Sequence, residues 1–521
     1  RFNITGNCRP ERHYMMDDRR RLEKVVDMVE YGEYFVINRP RQYGKTTLLF
    51  TLHKLLDEGE DYLPILMSFQ GVSGSYYQNS DTFGQYFFEE LKIELQEAAG
   101  GPSAEEVEAL GPVITINDLS ERITQIVRMT DKRMVLLVDE VDASSHYGPF
   151  LDFLGMLRTK YLQRHRPRHR TFHSVILAGV HDVKSLKFKL RNPEEAETNS
   201  PWNIAADFKV SMDFYPKEIA YMLRQYGEAE GVAIDYEAMS ERLYYYTSGH
   251  PFLVSKLCKS IAEELLPEKQ GAERRWTLED LERSVQLLLK EDNTNFESLV
   301  KNLENHEGLY KLAYRLLIEG ERIPFNLHAP LMRLGVIYGV FTEKNMLSIH
   351  NRIYEQVTYN YLVSSYTENH GLIRDRYLGD QFTKAGGGLD LERVLRKFQS
   401  FMKEQYSQKN SRLLEREWRL IFLAFLKPIL NGQGYDFKEV ETSQEKRLDI
   451  VVTYLQWRYV VELKLWRGDK AHQKGLQQLS SYLEIHGVER GYLLIFDDRE
   501  KPSWREEEIR CEGKEIFAVW V

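Results

Sequence analysis

The stretch Tyr34-Phe-Val-Ile-Asn38, followed by Arg39-Pro-Arg41-Gln42-Tyr43-Gly44-Lys45-Thr46-Thr47 and an apolar run from Leu48, decides the fold of the first half of this 521-residue chain. Aromatic and β-branched residues without a charge read as a buried strand, and the run from Leu48 reads as a helix. A tight loop between the two points backbone N–H groups and the positive end of the helix dipole at one place. Such a cradle takes phosphate. Arg41, Gln42, Tyr43, Gly44 and Thr47 belong to its wall, Lys45 reaches β- and γ-phosphate oxygens, and Thr46 can ligate Mg²⁺. The pattern departs from G-x-x-x-x-G-K-[ST] at its first position, where Arg39 stands. Gly-Lys-Thr or Gly-Lys-Ser alone is a weak signal, since average usage produces it in roughly a quarter of chains this long.

A second segment strengthens it. Met134-Val-Leu-Leu-Val-Asp139-Glu140 is an apolar strand that ends in two carboxylates. At that end Asp139 can hold Mg²⁺ through water, and Glu140 can polarise the attacking water. ATP and Mg²⁺ are the implied cofactors. Short β-branched runs alternate with amphipathic helices, so an α/β fold with a parallel sheet is expected. The expected strands are Tyr34–Asn38, Leu63–Phe69, Met134–Val138, Ser174–Gly179 and Phe208–Met212.

Asn38-Arg-Pro-Arg-Gln-Tyr-Gly-Lys-Thr-Thr, Val138-Asp-Glu-Val-Asp, Val175-Ile-Leu-Ala-Gly-Val, Ser200-Pro-Trp-Asn-Ile-Ala and Thr247-Ser-Gly-His-Pro-Phe resemble the AAA-ATPase-like and archaeal-type ATPases of prokaryotes, near the STAND branch of P-loop NTPases. The likeness spans about residues 10–365. Arginine at the Arg39 position is usual in the Arg-Pro-Arg variety of this group, so the departure supports the match. The resemblance implies that the Gly249-His250-Pro251 turn lies near the nucleotide base, making Gly249 and Pro251 binding residues. It also implies a sensor after Gly179, at His181 or Asp182.

Beyond the P-loop core, expected over 1–213, residues 214–300 read as a helical lid. Residues 301–366 read as helices and a hairpin, Gly335-Val-Ile-Tyr-Gly-Val-Phe with Met346-Leu-Ser-Ile-His, which suggests a winged helix. A linker is expected over 367–400, with Gly386-Gly-Gly inside it, and a separate domain over 401–521. Charge supports that last boundary. The chain has 70 basic and 79 acidic residues, whereas 401–521 holds 20 of each, so the whole −9 lies before residue 401. Five of the seven tryptophans fall after residue 400, which again separates the two parts.

Cys8, Cys258 and Cys511 share no spacing that makes a disulfide framework or zinc site, so a reducing, cytoplasmic compartment is expected. No run of eighteen apolar residues is present, and no membrane partner is expected. The sequence opens on Arg1 without an initiator methionine, leaving open residues ahead of it, a removed signal peptide included.

In the last domain Leu448-Asp449-Ile-Val-Val-Thr-Tyr-Leu and Tyr459-Val-Val-Glu462-Leu-Lys464-Leu read as two strands joined near Gln456–Trp457. A two-residue turn there sets Asp449 opposite Lys464 and Val451 opposite Glu462, with Asp449, Glu462 and Lys464 on one face. Two carboxylates and a lysine can bind Mg²⁺ or Mn²⁺ and orient a water against a phosphodiester. Glu415 and Glu417 lie on a preceding helix; Gln478 and Tyr482 lie four apart on the following one, hence on one face. The order helix, two strands, helix, strand with Asp…Glu-x-Lys…Gln-x-x-x-Tyr resembles the PD-(D/E)XK nuclease superfamily over about 405–521. The resemblance implies that Asp449 and Glu462 are metal ligands and Lys464 the water or phosphate contact. It further implies a contributing acid at Glu417, with Glu415 open, and gives Gln478 and Tyr482 their site roles. Lys446-Arg447-Leu448 stands where Gly-Arg is more common, which bears on how closely backbone meets DNA.

Residues 158–170, Arg-Thr-Lys-Tyr-Leu-Gln-Arg-His-Arg-Pro-Arg-His-Arg, hold six Lys or Arg and no acid. A phosphate-contacting loop and an ordinary solvated loop are both open there. Tyr244-Tyr-Tyr reads as core packing. The whole reads as an ATPase fused to a Mg²⁺-dependent nuclease that cuts nucleic acid, DNA rather than RNA, under nucleotide control. In a prokaryote this suggests defence against phage or mobile DNA, by analogy alone. Further copies of the chain, in a homo-oligomer, are a second implied partner. The rival reading is a nucleotide-dependent binding switch whose nuclease-like domain is an inert docking module.

Overall fold

The computed structural model describes every residue except 145–146, 181–201, 272–273, 319–320, 344, 371–381, 385, 407–414, 431–433, 439–449, 455–456, 486, 498 and 500–501. It forms two units. The first is Arg1–Glu297 with Asn326–Thr342 and His350–Ile353; the second is Ser298–Phe325, Glu343–Ile349 and Tyr354–Val521.

The first unit opens with α1 (Arg19–Glu30), β1 (Tyr34–Asn38), α2 (Lys45–Asp57), β2 (Tyr62–Ser68), α3 (Ser80–Glu97), α4 (Ala104–Glu108), α5 (Ile116–Arg128), β3 (Arg133–Asp139), α6 (Gly148–Leu162) and β4 (Ser174–Gly179). The strands pair in parallel in the order β1-β4-β3-β2, giving an α/β fold with a four-stranded sheet. Alternation along β1 feeds two cores. Tyr34 and Val36 join Phe83, Phe87 and Phe153 on one face, while Phe35 and Ile37 join Val25, Leu49 and Leu52 on the other. Burial on both faces explains why these strands read as unbroken apolar runs.

The expected fifth strand over Phe208–Met212 does not form; beside β1 there is a single bridge, Phe35 to Ala206. Arginines take the carbonyls a neighbouring strand would use. Arg39 Nη2 donates to Val210 O at 2.9 Å, Arg21 Nε to Ser211 O at 2.8 Å, and Arg21 Nη2 to Asp213 O at 3.1 Å. Phe208, Val210 and Met212 still alternate into the core.

Helices α7 (Pro216–Glu230), α8 (Tyr236–Thr247), α9 (Pro251–Ser260), α10 (Leu278–Leu289), α11 (Thr294–Asn305), α12 (Glu307–Leu317) and α13 (Pro330–Ile337) follow. Gly335, expected in a strand, lies inside α13, and β5 is only Phe341–Thr342. Gly339, at φ +71°, stops that helix, with Val340 N donating to Gly335 O at 2.8 Å. A short β6 (Ser348–Ile349) and α14 (Arg352–His370) come next.

In the second unit α15 (Leu391–Tyr406) begins inside the span expected to be a linker. After it come α16 (Glu415–Leu430), β7 (Gly434–Lys438), β8 (Ile450–Tyr454), β9 (Trp457–Leu465), α17 (Asp469–Ile485), β10 (Arg490–Phe496), β11 (Glu506–Cys511) and β12 (Lys514–Trp520). The sheet order is β11-β12-β10-β9-β8-β7: an antiparallel meander of β7, β8 and β9, a crossover through α17, then parallel β10 and β12. Val460, Leu493, Ile495, Ile516 and Trp520 pack under Leu476, Leu479 and Leu483 of α17. Helices α15 and α16 bring Phe398 and Trp418 against Phe496 of β10, with ring centroids 6.4 and 5.1 Å apart.

Lys160 of α6 is 1% exposed, and its Nζ donates to Ser120 O at 2.7 Å and Thr124 Oγ1 at 2.6 Å on α5. No carboxylate meets it among the described residues, and burial pulls its pKa from 10.5 down to about 8. Between those values the unfolded chain binds the proton that the folded chain has released, so stability rises with pH there. Denaturation midpoints of the wild type should therefore rise, relative to Lys160→Met, as pH goes from 8 to about 10.5. Parallel pH profiles for the two proteins would show that the amine is not perturbed.

Candidate functional site

Parallel strands deliver their carboxyl ends to one edge, and the first unit's site forms there. The loop from Arg39 to Gly44 runs from β1 to α2, with Gln42 and Gly44 in the left-handed region at φ 58° and 77°. Lys45 is 7% exposed, and its Nζ donates to Arg39 O at 3.0 Å and Pro40 O at 2.9 Å, two carbonyls of its own loop. Burial lowers its pKa against the pull of Asp142, Glu140 and Asp139. Thr46 Oγ1 donates to Asp139 Oδ2 at 2.6 Å, which joins the loop to the end of β3. The pair is an oxygen set of the kind that hard divalent cations take. Asp139 Oδ1 accepts from Glu140 N at 2.9 Å, and Glu140 itself sits at φ 54°. Burial, then the Asp139 charge, pushes the Glu140 carboxyl upward.

Arg39 has a visible task at the first position of the loop. Besides holding Val210 O, its guanidinium lies 5.4 Å from the Phe208 ring centroid, so it ties the loop to the 208–212 segment. Arg41 and Gln42 are exposed. The Thr47 hydroxyl accepts from Cys8 N at 3.0 Å. Tyr43 is buried, and its hydroxyl donates to Asp213 Oδ1 at 2.6 Å and lies 2.8 Å from His350 Nε2. Its ring meets His250 with centroids 4.6 Å apart. His250 is fully buried, and burial followed by the His350 charge holds its pKa well below the ordinary value. Gly249, at φ +78°, lies so close to Phe214 that a Cβ would strike the Phe214 carbonyl, while Phe214 N donates to Gly249 O at 2.8 Å. Pro251 then opens α9.

Three of these contacts were not evident from the sequence. Asp142, the last residue of Val138-Asp-Glu-Val-Asp, accepts from Val180 N at 2.5 Å and so fixes the end of β4; its place in that motif was the available signal. Asp213 and His350 carry no local pattern, because only folding brings them to Tyr43. His181, Asp182 and Ser200 lie outside the described residues.

In the second unit the hairpin register differs from the expected one. Tyr454 pairs with Trp457 and Val451 with Val460, not Glu462, so the connection is 455–456 and Trp457 belongs to the strand. An aromatic cross-strand pair closes the ladder there. The shift is two residues, so each residue keeps its face. Glu462 (3% exposed) and Lys464 pair directly, and Lys464 Nζ donates to Gln478 Oε1 of α17 at 3.2 Å. Tyr482, one turn further along α17, is buried in the same layer. Glu415 and Glu417 fall in the first turn of α16, and Asp449 lies outside the described residues.

The Tyr43 hydroxyl serves two partners inside a buried cluster, and deleting it leaves both short of a contact. Tyr43→Phe should lower stability by about 1–3 kcal/mol, read as a loss of denaturation midpoint. An unchanged midpoint would show that the cluster does not hold the loop.

No curated protein is similar enough to the chain to count as a match. Among the solved structures that are similar to the chain are three. One is the Walker-type ATPase of Pyrococcus abyssi, at 13% identity and TM-score 0.46, over 68% of this chain and 99% of that one. Another is the Aeropyrum pernix ORC1 protein in complex with DNA, at 10% identity and TM-score 0.29, over 68% and 94%. The third is the Thermotoga maritima RuvB Holliday junction branch migration motor, at 14% identity and TM-score 0.33, over 66% and 96%. The profile of the AAA-like domain matches residues 12–273, just over half of the chain. That span contains the Arg39–Thr47 loop, the Asp139 strand end and the Gly249 turn, and the chain belongs to the AAA-like domain family.

Proposed function

We propose that the chain is an ATP-driven, Mg²⁺-dependent nuclease, with ATP handled in the first unit and nucleic acid, DNA rather than RNA, cut in the second. For the nucleotide, the supporting observation is the Thr46–Asp139 contact at 2.6 Å beside the buried Lys45. Lys45 would exchange its two loop carbonyls for β- and γ-phosphate oxygens. Thr46 and Asp139 would hold Mg²⁺, and Glu140, whose carboxyl is pushed upward, would polarise the attacking water. Arg41, Gln42, Gly44, Gly249 and Pro251 would line the nucleotide.

For the nuclease, the observation that carries the reading is Glu462, 3% exposed within an apolar strand, joined to Lys464 and through it to Gln478. Charges are expensive in such a layer unless paired or used. Asp449, which precedes β8 in the sequence, would supply the second carboxylate for one metal. Mg²⁺ or Mn²⁺ held by them would offset charge on the attacked phosphate. Lys464 would hold the water, with Gln478, Tyr482 and Glu417 around it.

A second reading has its own support: Glu462 and Lys464 already neutralise one another, as in an inert docking module of a nucleotide-dependent switch. The two readings differ in cleavage. In the full chain with Mg²⁺ and ATP, Asp449→Ala, Glu462→Ala and Lys464→Ala should each cut DNA about 10³-fold more slowly, the scale of several kcal/mol expected of metal catalysis. Glu445→Ala should remain active. Cleavage that survives EDTA, or the double Asp449→Ala/Glu462→Ala variant, would leave only the switch.

On the ATPase side, Lys45→Ala should lose ATP binding, whereas Glu140→Gln should bind ATP and lose turnover. DNA cleavage should follow the nucleotide state of each variant. A cleavage rate indifferent to Lys45→Ala would disconnect the two activities.

A further inference from the structure

The carboxyl end of the first unit's sheet is occupied by the nucleotide loop, but a second charged feature sits at the other end. Between α6 and β4 the chain passes through Arg164, Arg166, Arg168 and Arg170, all exposed, with Arg128 of α5 exposed beside them. Among the described residues none of these five guanidinium groups is in an ion pair, in a chain whose net charge is −9.

The loop backbone is fixed from below. Thr124 Oγ1 lies 3.2 Å from Arg168 O and 3.1 Å from Arg170 O, and Arg128 Nη2 donates to Pro167 O at 2.6 Å. The buried Lys160 donates to the same Thr124 oxygen at 2.6 Å. Arg164 lies over the Tyr161 ring, its guanidinium carbon 3.9 Å from the centroid, and its Nη1 donates to Tyr161 O. Carbonyls are therefore drawn inward while side chains stay in water. Like charges held together on one turn repel, and among the described residues no carboxylate pairs with these guanidinium groups.

We propose that this arginine ridge is a docking site for the phosphate backbone of duplex nucleic acid, at the end of the ATPase sheet opposite to the nucleotide loop. The choice of nucleic acid among polyanions rests on the nuclease reading above. The ridge itself does not. Its exposed cations are all arginine, whose planar fork takes two phosphate oxygens at once, whereas lysine acts as a point charge. Contacts of guanidinium to phosphate carry no sequence information, so the ridge would bind without sequence preference and would weaken steeply with salt.

The test is fluorescence anisotropy of a labelled DNA duplex with the full chain in EDTA, where no metal-dependent cleavage occurs. A parallel arm uses the matching RNA duplex, and a third uses phosphatidylserine vesicles. Arg166→Glu/Arg168→Glu/Arg170→Glu should weaken duplex binding at least about tenfold and reduce the slope of log affinity against log salt by about 3. ATP turnover without nucleic acid should be unchanged. If the triple variant melts early, Arg166→Glu alone should still reduce the slope by about 1. Equal affinity and slope in variant and wild type would overturn the proposal. So would vesicle binding that exceeds duplex binding and disappears in the variant, since the ridge would then serve a membrane. A cutting enzyme that ignores the ridge variant would sink the ridge alone; ridge-dependent binding without any cleavage would sink the nuclease alone.

Discussion

A charge taken out of water must be met by another charge or by oriented dipoles, and both candidate sites in this chain are built around that constraint. Lys45, 7% exposed, is met by two carbonyls of its own loop and by the field of three nearby carboxylates. Glu462, 3% exposed, is met by Lys464, which also reaches Gln478. The two arrangements differ in what a ligand would have to displace. At Lys45 an anion would replace two neutral carbonyls as direct partners, in the presence of the Asp139, Glu140 and Asp142 charges that a divalent cation would offset. At Glu462 a divalent cation would compete with a lysine already in contact. The same pair is compatible with the proposed nuclease and with an inert module, so chemistry rather than burial separates the two readings.

Legibility from sequence followed the range over which each interaction acts. The strand before Arg39, the loop through Thr47 and the strand ending at Asp139 were readable because each is local: a short apolar run, a turn, a helix start. The failure at Phe208–Met212 is instructive. Its alternating pattern was read as a strand, and its side chains do alternate into the core. Its carbonyls, however, are claimed by Arg39 and Arg21, residues far away in the chain, and pattern alone cannot report that. The same holds for Tyr43, whose partners Asp213 and His350 are gathered only by folding.

In the second unit, periodicity fixed which residues share a face but not the register. Moving the connection to 455–456 shifted the pairing by two residues and left Glu462 and Lys464 on their expected face. A shift of one would have broken the constellation. The β7 strand is not legible because Gly434-Tyr-Asp-Phe-Lys offers only two apolar positions, whereas β8, of the same length, has three consecutive β-branched apolar or hydroxyl residues between Ile450 and Tyr454. The start of α15 falls within the expected linker because the glycine-rich stretch before it hides the amphipathic pattern that follows; the Phe398 ring packs against Phe496 of β10.

Arg39 shows how one substitution in a loop can be structural and functional together. A glycine at that position would leave the loop free of the 208–212 segment. Arginine instead ties it there through Val210 O and the Phe208 ring, while Tyr43 ties it to Asp213 and Gly339 meets Pro40 at close range. The loop is thus clamped at its first, second and fifth residues, before any phosphate arrives. The opposite end of β4 is equally constrained, since Asp142 holds Val180 at its carboxyl end and the Thr124-anchored turn precedes its amino end. A six-residue strand spans about 20 Å at roughly 3.3 Å per residue and does not stretch. Any influence of the arginine ridge on the nucleotide therefore has to pass through rigid β4 or through helix α6, not through loop motion, and would act by shifting packed elements as bodies.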